Sequence, residues 1–322
     1  MIFESRYKDQ PAITLESGAL RAQFLPGIGG KLCSLVFTPQ QFDVLIHKPG
    51  AQYRMQPYDG VYVDGECSGM DDMFPTIDVY HCEQFPWQGT RLPDHGEVWS
   101  LPWESTIDGD RLRMSVHGVR LPYRLEKAIS FSDDHTLRCE YTVQNLSQFG
   151  FDFLWAAHPM FVLDEDSQIQ LPQGVQKIVN VFSSDGSLGK YGDAFDWPLA
   201  AQPNGAIRDL THMAPASAQR AAKYYVKGRM PEGWCALTYP SRGLYLRMNF
   251  DADVVPYLGI LPNENNFQDL YNIFLEPATS TFDRPDVARL RGEGAHLAGG
   301  ETRTWHLDIS LTKETRETSE KK

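Results

Sequence analysis

Apolar and polar residues alternate with a period of two along most of the chain, which is the pattern of strands with one buried face. Two short strands around a Ser-Gly turn are predicted within residues 12–25. A strand pair is predicted over 122–131 and 135–146, joined at Ser132-Asp133-Asp134. Further strands are predicted over 243–250 and 303–311, because β-branched or aromatic residues occupy one face of each.

Turn signals recur about every ten residues, as they do in large antiparallel sandwiches and barrels. Helical periodicity is weak, and short helices are predicted only near 285–292 and 214–223. No linker divides the chain, so a single domain is predicted over 1–312. The last segment, 313–322, is charged, has no apolar face and is expected to be a disordered tail.

Charge and composition exclude several classes of protein. The 322 residues carry a formal net charge of −12, which disfavours electrostatic binding to nucleic acid. No run of eighteen apolar residues occurs, so no membrane span is predicted. The five cysteines are scattered and the first residues do not form a signal peptide, so reduced thiols and a cytoplasmic location are expected.

Two short motifs resemble binding sites but lack an essential part. The segment 27–31 (GIGGK) is similar to a phosphate loop, yet Leu32 stands where Ser or Thr is required, and a turn leading into a strand is predicted instead. His81-Cys82 and His95-x-Glu97 contain metal-ligating residue types. Neither HExxH nor CxxC is present, so no metal site is predicted.

Three segments each place a candidate catalytic residue next to Gly or Pro, with apolar or aromatic neighbours. They contain His95 within 92–99 (LPDHGEVW), His158 within 154–161 (LWAAHPMF) and Glu276 within 272–279 (NIFLEPAT). Sugars have apolar C–H faces and polar rims, so aromatic side chains with few polar groups suit them. The aromatic residues that could supply such a floor are Trp99, Trp155, Phe161 and Phe274.

The order of these motifs resembles the galactose mutarotase (aldose 1-epimerase) superfamily. A Gly-Gly strand comes first (29–35), followed by Pro-Asp-His-Gly…Trp, then His-Pro-aromatic, then Glu-Pro-x-Thr. The segments 253–259 and 297–302, the latter followed by Trp305, are similar to two further family segments. The resemblance extends from about residue 12 to about residue 311.

This resemblance implies an all-β fold, a large antiparallel β-sandwich with a sugar cleft on one face, and an isomerase that interconverts the α and β anomers of a free sugar. Glu276 corresponds to the general base at the C1 hydroxyl, His158 to the general acid at the ring oxygen, and His95 to a second histidine that binds the sugar. A carboxylate and an imidazolium on opposite sides of the substrate suit such ring opening. The resemblance implies no metal or organic cofactor.

The sequence departs from the family pattern at the positions expected to bind sugar hydroxyls. The segment 69–76 replaces an Asn-Arg pair and is closer to a divergent branch of the superfamily. The family's sugar-binding Asp is not evident upstream of Glu276. Asp71 or Asp72 is expected to bind hydroxyls, and Lys223 is either a substrate contact or an ordinary solvated lysine.

The free sugar is expected to be an aldose other than galactose or one with an anionic substituent, and two alternatives to a mutarotase stay open. A hexose-6-phosphate 1-epimerase needs a cluster of Arg or Lys at the 6-position, and the usual Arg after His-Gly is absent here. A non-catalytic carbohydrate-binding or regulatory protein could use the same fold. In each case a small-molecule sugar is the expected partner, and either a monomer or a homodimer is expected.

Overall fold

Antiparallel strands dominate the computed structural model, which describes residues 1–313. Strand accounts for 49% and helix for 7% of the chain. Two large sheets, of twelve and eight strands, pack against each other as a sandwich, and three two-stranded sheets complete the fold. The predicted fold class is therefore confirmed.

The strands are numbered in chain order. The first thirteen are β1 (Ile2–Tyr7), β2 (Gln10–Glu16), β3 (Leu20–Leu25), β4 (Lys31–Phe37), β5 (Phe42–Asp43), β6 (Met70–Met73), β7 (Tyr80–His81), β8 (Arg91–Leu92), β9 (Glu104–Asp108), β10 (Arg111–His117), β11 (Tyr123–Asp133), β12 (Thr136–Asn145) and β13 (Phe151–Phe153). The others are β14 (Ala156–Val162), β15 (Gln168–Gln170), β16 (Lys177–Ser183), β17 (Ala194–Asp196), β18 (Leu199–Ala201), β19 (Ile207–Asp209), β20 (Arg220–Val226), β21 (Trp234–Tyr239), β22 (Leu244–Phe250), β23 (Tyr257–Glu264), β24 (Tyr271–Ala278), β25 (Ala295–Leu297) and β26 (Thr302–Lys313). The α-helix α1 covers Pro285–Arg291. Short 3-10 helices cover Thr38–Gln40, Tyr62–Asp64, Val98–Ser100, Ala216–Ala218 and Pro240–Arg242.

The larger sheet has the strand order β1-β2-β3-β4-β6-β14-β24-β23-β20-β16-β17, with β5 paired to β4. The smaller sheet has the order β15-β21-β22-β26-β12-β11-β10-β9. The small sheets pair β13 with β25, β18 with β19, and β7 with β8. The strands β14, β24, β23 and β20 are therefore neighbours in the middle of the larger sheet, although long stretches of chain separate some of them.

Alternation along each strand decides which side chains enter the core between the sheets. In β11, every second residue from Tyr123 to Ile129 is buried. In β24, Ile273 and Leu275 pack into the main core, whereas Phe274 belongs to a separate cluster on the opposite face. Because successive strand residues point to opposite faces, Glu276 lies on that same outer face as Phe274.

Most local predictions are confirmed. The predicted strands within 12–25, 122–146, 243–250 and 303–311 correspond to β2 and β3, β11 and β12, β22, and β26, and the helix near 285–292 is α1. The helix predicted near 214–223 is wrong, because only a 3-10 turn forms there and β20 begins at Arg220. Burial explains the strand, since β20 is inserted between β16 and β23. Of the tail predicted over 313–322, Lys313 is the last residue of β26, and residues 314–322 lie outside the described part of the chain.

The glycine motif of residues 27–31 forms the predicted turn before a strand. Gly29 and Gly30 have φ angles of 64° and 61°, which favour glycine, and β4 follows directly. A Cβ atom on Gly29 would lie 2.3 Å from the carbonyl oxygen of Trp99. The motif thus allows its backbone to approach the backbone at Trp99 closely. A strand and not a helix follows it, so it offers no helix N-terminus to a phosphate.

Candidate active site

A cleft of about 430 Å³ opens on the outer face of the larger sheet. Strands β14, β20, β23 and β24 form its floor, and the loops that hold Tyr62, His95 and Asp283 border it. Its lining consists of Tyr62, Val63, Cys67, Ile77, Asp78, His95, His158, Met160, Val181, Phe182, Tyr191, Lys223, Leu261, Phe267, Leu270, Asn272, Phe274 and Asp283. The ionisable groups gather at one end of the cleft, and apolar side chains form most of the rest.

Glu276 lies beneath the ionisable end and has no exposed surface. Its Oε2 is 2.9 Å from Nζ of Lys223, which is also 2.8 Å from Oδ1 of Asp283. Burial raises the pKa of Glu276, and Lys223 opposes this shift. For Lys223, burial favours the neutral amine, but Asp283 and Glu276 outweigh burial and raise its pKa. The lysine is therefore held as an ammonium ion beside the buried carboxylate.

A glycine permits this ion pair to form across an intervening strand. Glu276 is on β24 and Lys223 on β20, and β23 separates them with Gly259 directly opposite Glu276. A Cβ atom on Gly259 would lie 3.3 Å from Oε2 of Glu276 and 3.3 Å from the ring of Tyr225. The two charged side chains meet in the space that a larger residue would occupy.

His158 lies beside Glu276, with Nε2 3.8 Å from Oε1. The two side chains are therefore adjacent. This differs from the predicted arrangement, in which they lie on opposite sides of a bound ring. His158 is only 4% exposed, and its Nδ1 is buried without a hydrogen-bond partner. Burial, followed by the nearby His95, Lys223 and Lys31, lowers its pKa well below the ordinary value.

His95 completes the ionisable end from the loop before the 3-10 helix at residues 98–100. Its ring centre is 5.3 Å from that of His158, and its Nδ1 is 3.0 Å from Oδ1 of Asp94. Burial favours a protonated Asp94, but the interaction with His95 outweighs burial and lowers the pKa of Asp94. The backbone here is in the left-handed region, since His95 has a φ of 58° and Gly96 one of 75°. A Cβ atom on Gly96 would lie 2.2 Å from the carbonyl oxygen of Phe74.

Tyr62 links both histidines to a buried ionic cluster and was not predicted. Its ring stacks on His95 at 4.3 Å and meets His158 edge-on at 5.2 Å. Its hydroxyl donates to Oδ2 of Asp71 at 2.8 Å. Asp71 also pairs with Lys31 at 2.5 Å, so it lies behind Tyr62 and does not line the cleft. Its expected role as a direct sugar ligand is replaced by support of the tyrosine.

Three other predicted substrate contacts do not line the cleft. Asp72 points into the sandwich core, where its carboxylate pairs with Lys127 at 2.8 Å and accepts a hydrogen bond from Nε1 of Trp155 at 3.1 Å. Trp155 has no exposed surface and packs on Tyr141. Trp99 packs edge-on against Tyr62 and donates to the carbonyl of Asp94. Strand alternation explains why Asp71 and Asp72 separate, since consecutive residues face opposite sides.

The aromatic floor is also smaller than predicted. Phe161 lies in the main core with no exposed surface, and of the four aromatic residues proposed only Phe274 lines the cleft. Phe182 and Tyr191, which were not predicted, stand at the mouth with 46% and 57% of their surfaces exposed. No motif surrounds these two residues, so the sequence offered no signal for them.

Asp78, Asp283 and Asn272 line the cleft and were also missed. Burial raises the pKa of Asp78, with Asp283 adding to the shift. Asp283 accepts a hydrogen bond from the hydroxyl of Tyr225 at 2.7 Å as well as pairing with Lys223. For Asn272 a signal existed, because it precedes Glu276 by four residues on one strand and so shares its face.

Within residues 1–313, no group of three or more His, Cys, Asp or Glu side chains is arranged to hold a metal ion. Glu97 of the His-x-Glu motif instead accepts hydrogen bonds from the hydroxyls of Tyr58 and Tyr123, at 2.6 and 2.9 Å. All five cysteines are free and buried. No helix in this described range is long and apolar enough to cross a membrane.

Comparison with known proteins gives similarity of structure without similarity of sequence. No protein-family model matches the chain, and no curated protein matches it significantly in sequence. A candidate aldose 1-epimerase from Klebsiella pneumoniae superposes with a TM-score of 0.71 at 14% identity, over 96% of this chain and 81% of that one. A candidate aldose 1-epimerase from Escherichia coli K12 gives 0.64 at 17%, over 93% and 98% of the two chains.

A galactose mutarotase-like protein from Lactobacillus casei superposes with a TM-score of 0.66 at 17% identity, over 94% of this chain and all of that one (100%). These likenesses span nearly the whole described sandwich. The chain therefore has the galactose mutarotase-like fold.

Proposed function

We propose that this protein is an aldose 1-epimerase-like isomerase, which opens the ring of a free sugar by general acid–base chemistry and lets it close to either anomer. The observation that carries the proposal is the convergence of Glu276, His158 and His95 at one end of a single cleft. These residues come from three distant segments of the chain. A carboxylate beside two imidazoles is the set of groups that such proton transfers need.

The adjacency of Glu276 and His158 suits this reaction. The C1 hydroxyl and the ring oxygen are both bonded to C1, so the base and the acid must act on neighbouring atoms. Glu276 takes the proton from the C1 hydroxyl, and Lys223 favours the ionised form of that carboxylate against the effect of burial. His158 donates to the ring oxygen, and His95, oriented by Asp94, binds the sugar beside it.

The lowered pKa of His158 has two opposing effects on its role as an acid. The protonated ring is a stronger acid, but fewer molecules carry the proton near neutral pH. A substrate oxygen that accepts a hydrogen bond from the ring would favour the protonated form. Nε2 faces the carboxylate of Glu276, with which it can exchange a proton, whereas Nδ1 is buried without a partner.

The charges of the cleft favour a neutral sugar over a sugar phosphate. Lys223 is the sole Lys or Arg among the lining residues of the described chain, and two carboxylates already neutralise it. Asp78 adds a further acidic group. A hexose-6-phosphate would lack the cluster of cations that binds a phosphate.

The non-catalytic alternative rests on one observation, the complete burial of Glu276. The carboxylate can reach a sugar only if the ligand enters between His158 and Lys223, the two cleft-lining residues that contact Glu276. If the base never meets the sugar, the protein binds a sugar without converting it.

The decisive experiment is anomer exchange by NMR in a weakly catalytic buffer, over a panel of neutral, deoxy and phosphorylated aldoses. We expect acceleration with a neutral aldose and a loss of about a hundred- to ten-thousand-fold in Glu276→Gln, with sugar binding retained. Glu301→Gln, at a surface carboxylate, is the matched control. Full activity in Glu276→Gln would refute the base assignment, and binding without acceleration would establish the non-catalytic alternative.

A further inference from the structure

Beyond the ionisable end, the cleft continues along the strands as an apolar section. In register, Phe274 on β24 is opposite Met160 on β14 and Leu261 on β23, so these side chains form one row across three strands. All three line the cleft. The ring centre of Phe274 is 4.5 Å from that of His158, so the apolar row begins directly beside the ionisable end.

Residues from two loops also line this apolar section. Phe267 and Leu270, from the loop that joins β23 to β24, line it opposite the row. Gln268 of the same loop donates from Nε2 to the carbonyl of Val63 at 2.7 Å. The loop is thereby joined to the 3-10 turn at residues 62–64, and the section has walls on more than one side.

One polar group lies at the far end of the apolar section. Asn272 has no exposed surface, lines the cleft and leaves its Nδ2 buried with no partner. Its Oδ1 accepts a hydrogen bond from Nδ2 of Asn263 at 2.9 Å. An unsatisfied buried donor costs free energy, so it points to an acceptor that arrives with a ligand.

The orientation of the Asn272 amide is fixed by its neighbour. Oδ1 of Asn263 accepts hydrogen bonds from the backbone N–H groups of Asn266 and Phe267, at 3.0 and 3.2 Å. Nδ2 of Asn263 is therefore the atom that faces Asn272. Since this atom is a hydrogen-bond donor, Asn272 must place its own oxygen there as the acceptor. Its NH₂ group is consequently the atom left free.

The distance between the two polar ends exceeds one sugar ring. Asn272 precedes Glu276 by four strand residues, which corresponds to about 13 Å along the sheet. A single pyranose bound with C1 at Glu276 and His158 would end over the apolar row. A ligand that also reaches Asn272 must continue from the carbon opposite C1.

We propose that the cleft takes an aldose extended at C4 by a second, C–H-rich residue, the length of a reducing disaccharide, with an acceptor oxygen that meets Nδ2 of Asn272. The first ring lies at Glu276, His158 and His95. The second lies against Phe274, Met160 and Leu261. This inference rests on the proposed function for the direction in which the ligand lies, but its binding test does not depend on turnover.

The test compares the binding of cellobiose, maltose and d-glucose by titration calorimetry. We expect the better disaccharide to bind at least about tenfold tighter than d-glucose, and Asn272→Leu to reduce that preference about fivefold, the worth of one hydrogen bond. Asn180→Leu is the matched control. Asn180 is also a buried asparagine with an unpartnered amide atom, but it lies outside the cleft lining. Leu261→Ser, at a half-buried position in the apolar row, should also reduce the preference.

The inference would be overturned if the disaccharides bind no tighter than d-glucose. It would also be overturned if the preference for a disaccharide is unchanged in both Asn272→Leu and Leu261→Ser. NMR of the same sugars separates this failure from failure of the proposed function. Exchange of d-glucose anomers with no gain from a second residue leaves the epimerase and removes the extended site. Tight disaccharide binding that depends on Asn272, without any exchange, keeps the extended site and removes the epimerase.

Discussion

The ammonium group of Lys223 lies 2.9 Å from the carboxylate of Glu276, and both side chains are buried. A buried carboxylate without a cation would be protonated at higher pH than usual, and a protonated acid cannot serve as a base. Lys223 opposes that shift, while Asp283 anchors the lysine from its other side. Lys223, for which the sequence left substrate contact and solvated surface open, is buried in the cleft lining and pairs with the proposed base.

Replacing Lys223 with Met should move the activity to higher pH. Without the ammonium, burial and Asp283 both raise the pKa of Glu276, so the base becomes ionised only at higher pH. The profile of kcat/KM against pH should shift its rising limb upward, with lower activity at neutral pH. Breaking a buried pair also costs about 3–5 kcal/mol of unfolding free energy. Lys223→Arg keeps the charge and should move the limb less. An unshifted limb in Lys223→Met would contradict this role.

Gly259→Ala should reduce kcat strongly and thermal stability only slightly. The added methyl group would lie 3.3 Å from Oε2 of Glu276, closer than ordinary contact, and would displace the carboxylate from Lys223 and His158. The loss in kcat is expected to reach about tenfold or more, because misplacement of a reacting group by an ångström is costly. Gly27→Ala, at an exposed position with open space around the added methyl group and no positive φ, is the control for thermal stability. Equal kcat in Gly259→Ala and wild type would be inconsistent with the proposed geometry.

His158 should make the protein less stable as the pH falls below about 6.5. In the folded state its pKa is well below 6.5, so between these values the unfolded chain binds the additional proton. Unfolding free energy should then fall by up to about 1.4 kcal/mol per pH unit from this group. Urea denaturation measures the unfolding free energy at about pH 7.5 and about pH 5. The difference between these two values should be smaller by about 2 kcal/mol in His158→Gln than in wild type. The exposed His117→Gln is the control, and an unchanged difference in His158→Gln would contradict the assignment.

Asp72→Asn should destabilise the fold without altering sugar recognition. The substitution leaves Lys127 as an uncompensated buried charge, at a cost of about 3–5 kcal/mol. Chemical denaturation measures that loss, and KM should stay within about twofold of wild type. The double variant Asp72→Leu with Lys127→Met should recover much of the stability, because neither charge is then buried alone. A large KM effect would mean that Asp72 reaches the ligand after all.

The sequence predicted the class of fold and the three ionisable residues of the candidate site, but not their surroundings. Alternation and turn spacing predict strands, yet they cannot say which face of a strand becomes the cleft. Asp71 and Asp72 are equivalent in the sequence, and only the packing of β6 between β4 and β14 separates them. Tryptophan beside a motif suggested stacking, but Trp155 fills the core. Tyr62 and Asp283 lie on loops, whose positions depend on contacts distant in sequence.

The short strand β6 carries a consequence for the assembly of the larger sheet. Its two aspartates each meet their own lysine, Asp71 with Lys31 on one face and Asp72 with Lys127 on the other. A slip of one residue would turn each carboxylate to the opposite face, so that at most one of the two aspartates could still meet a lysine and the other would be buried without a partner. The two ion pairs, one on each face, thus favour a single register for a strand only four residues long. Correct pairing of β6 with β14 in turn places His158 opposite Asp71, so the fidelity of the fold and the alignment of the candidate site are secured by the same two ion pairs.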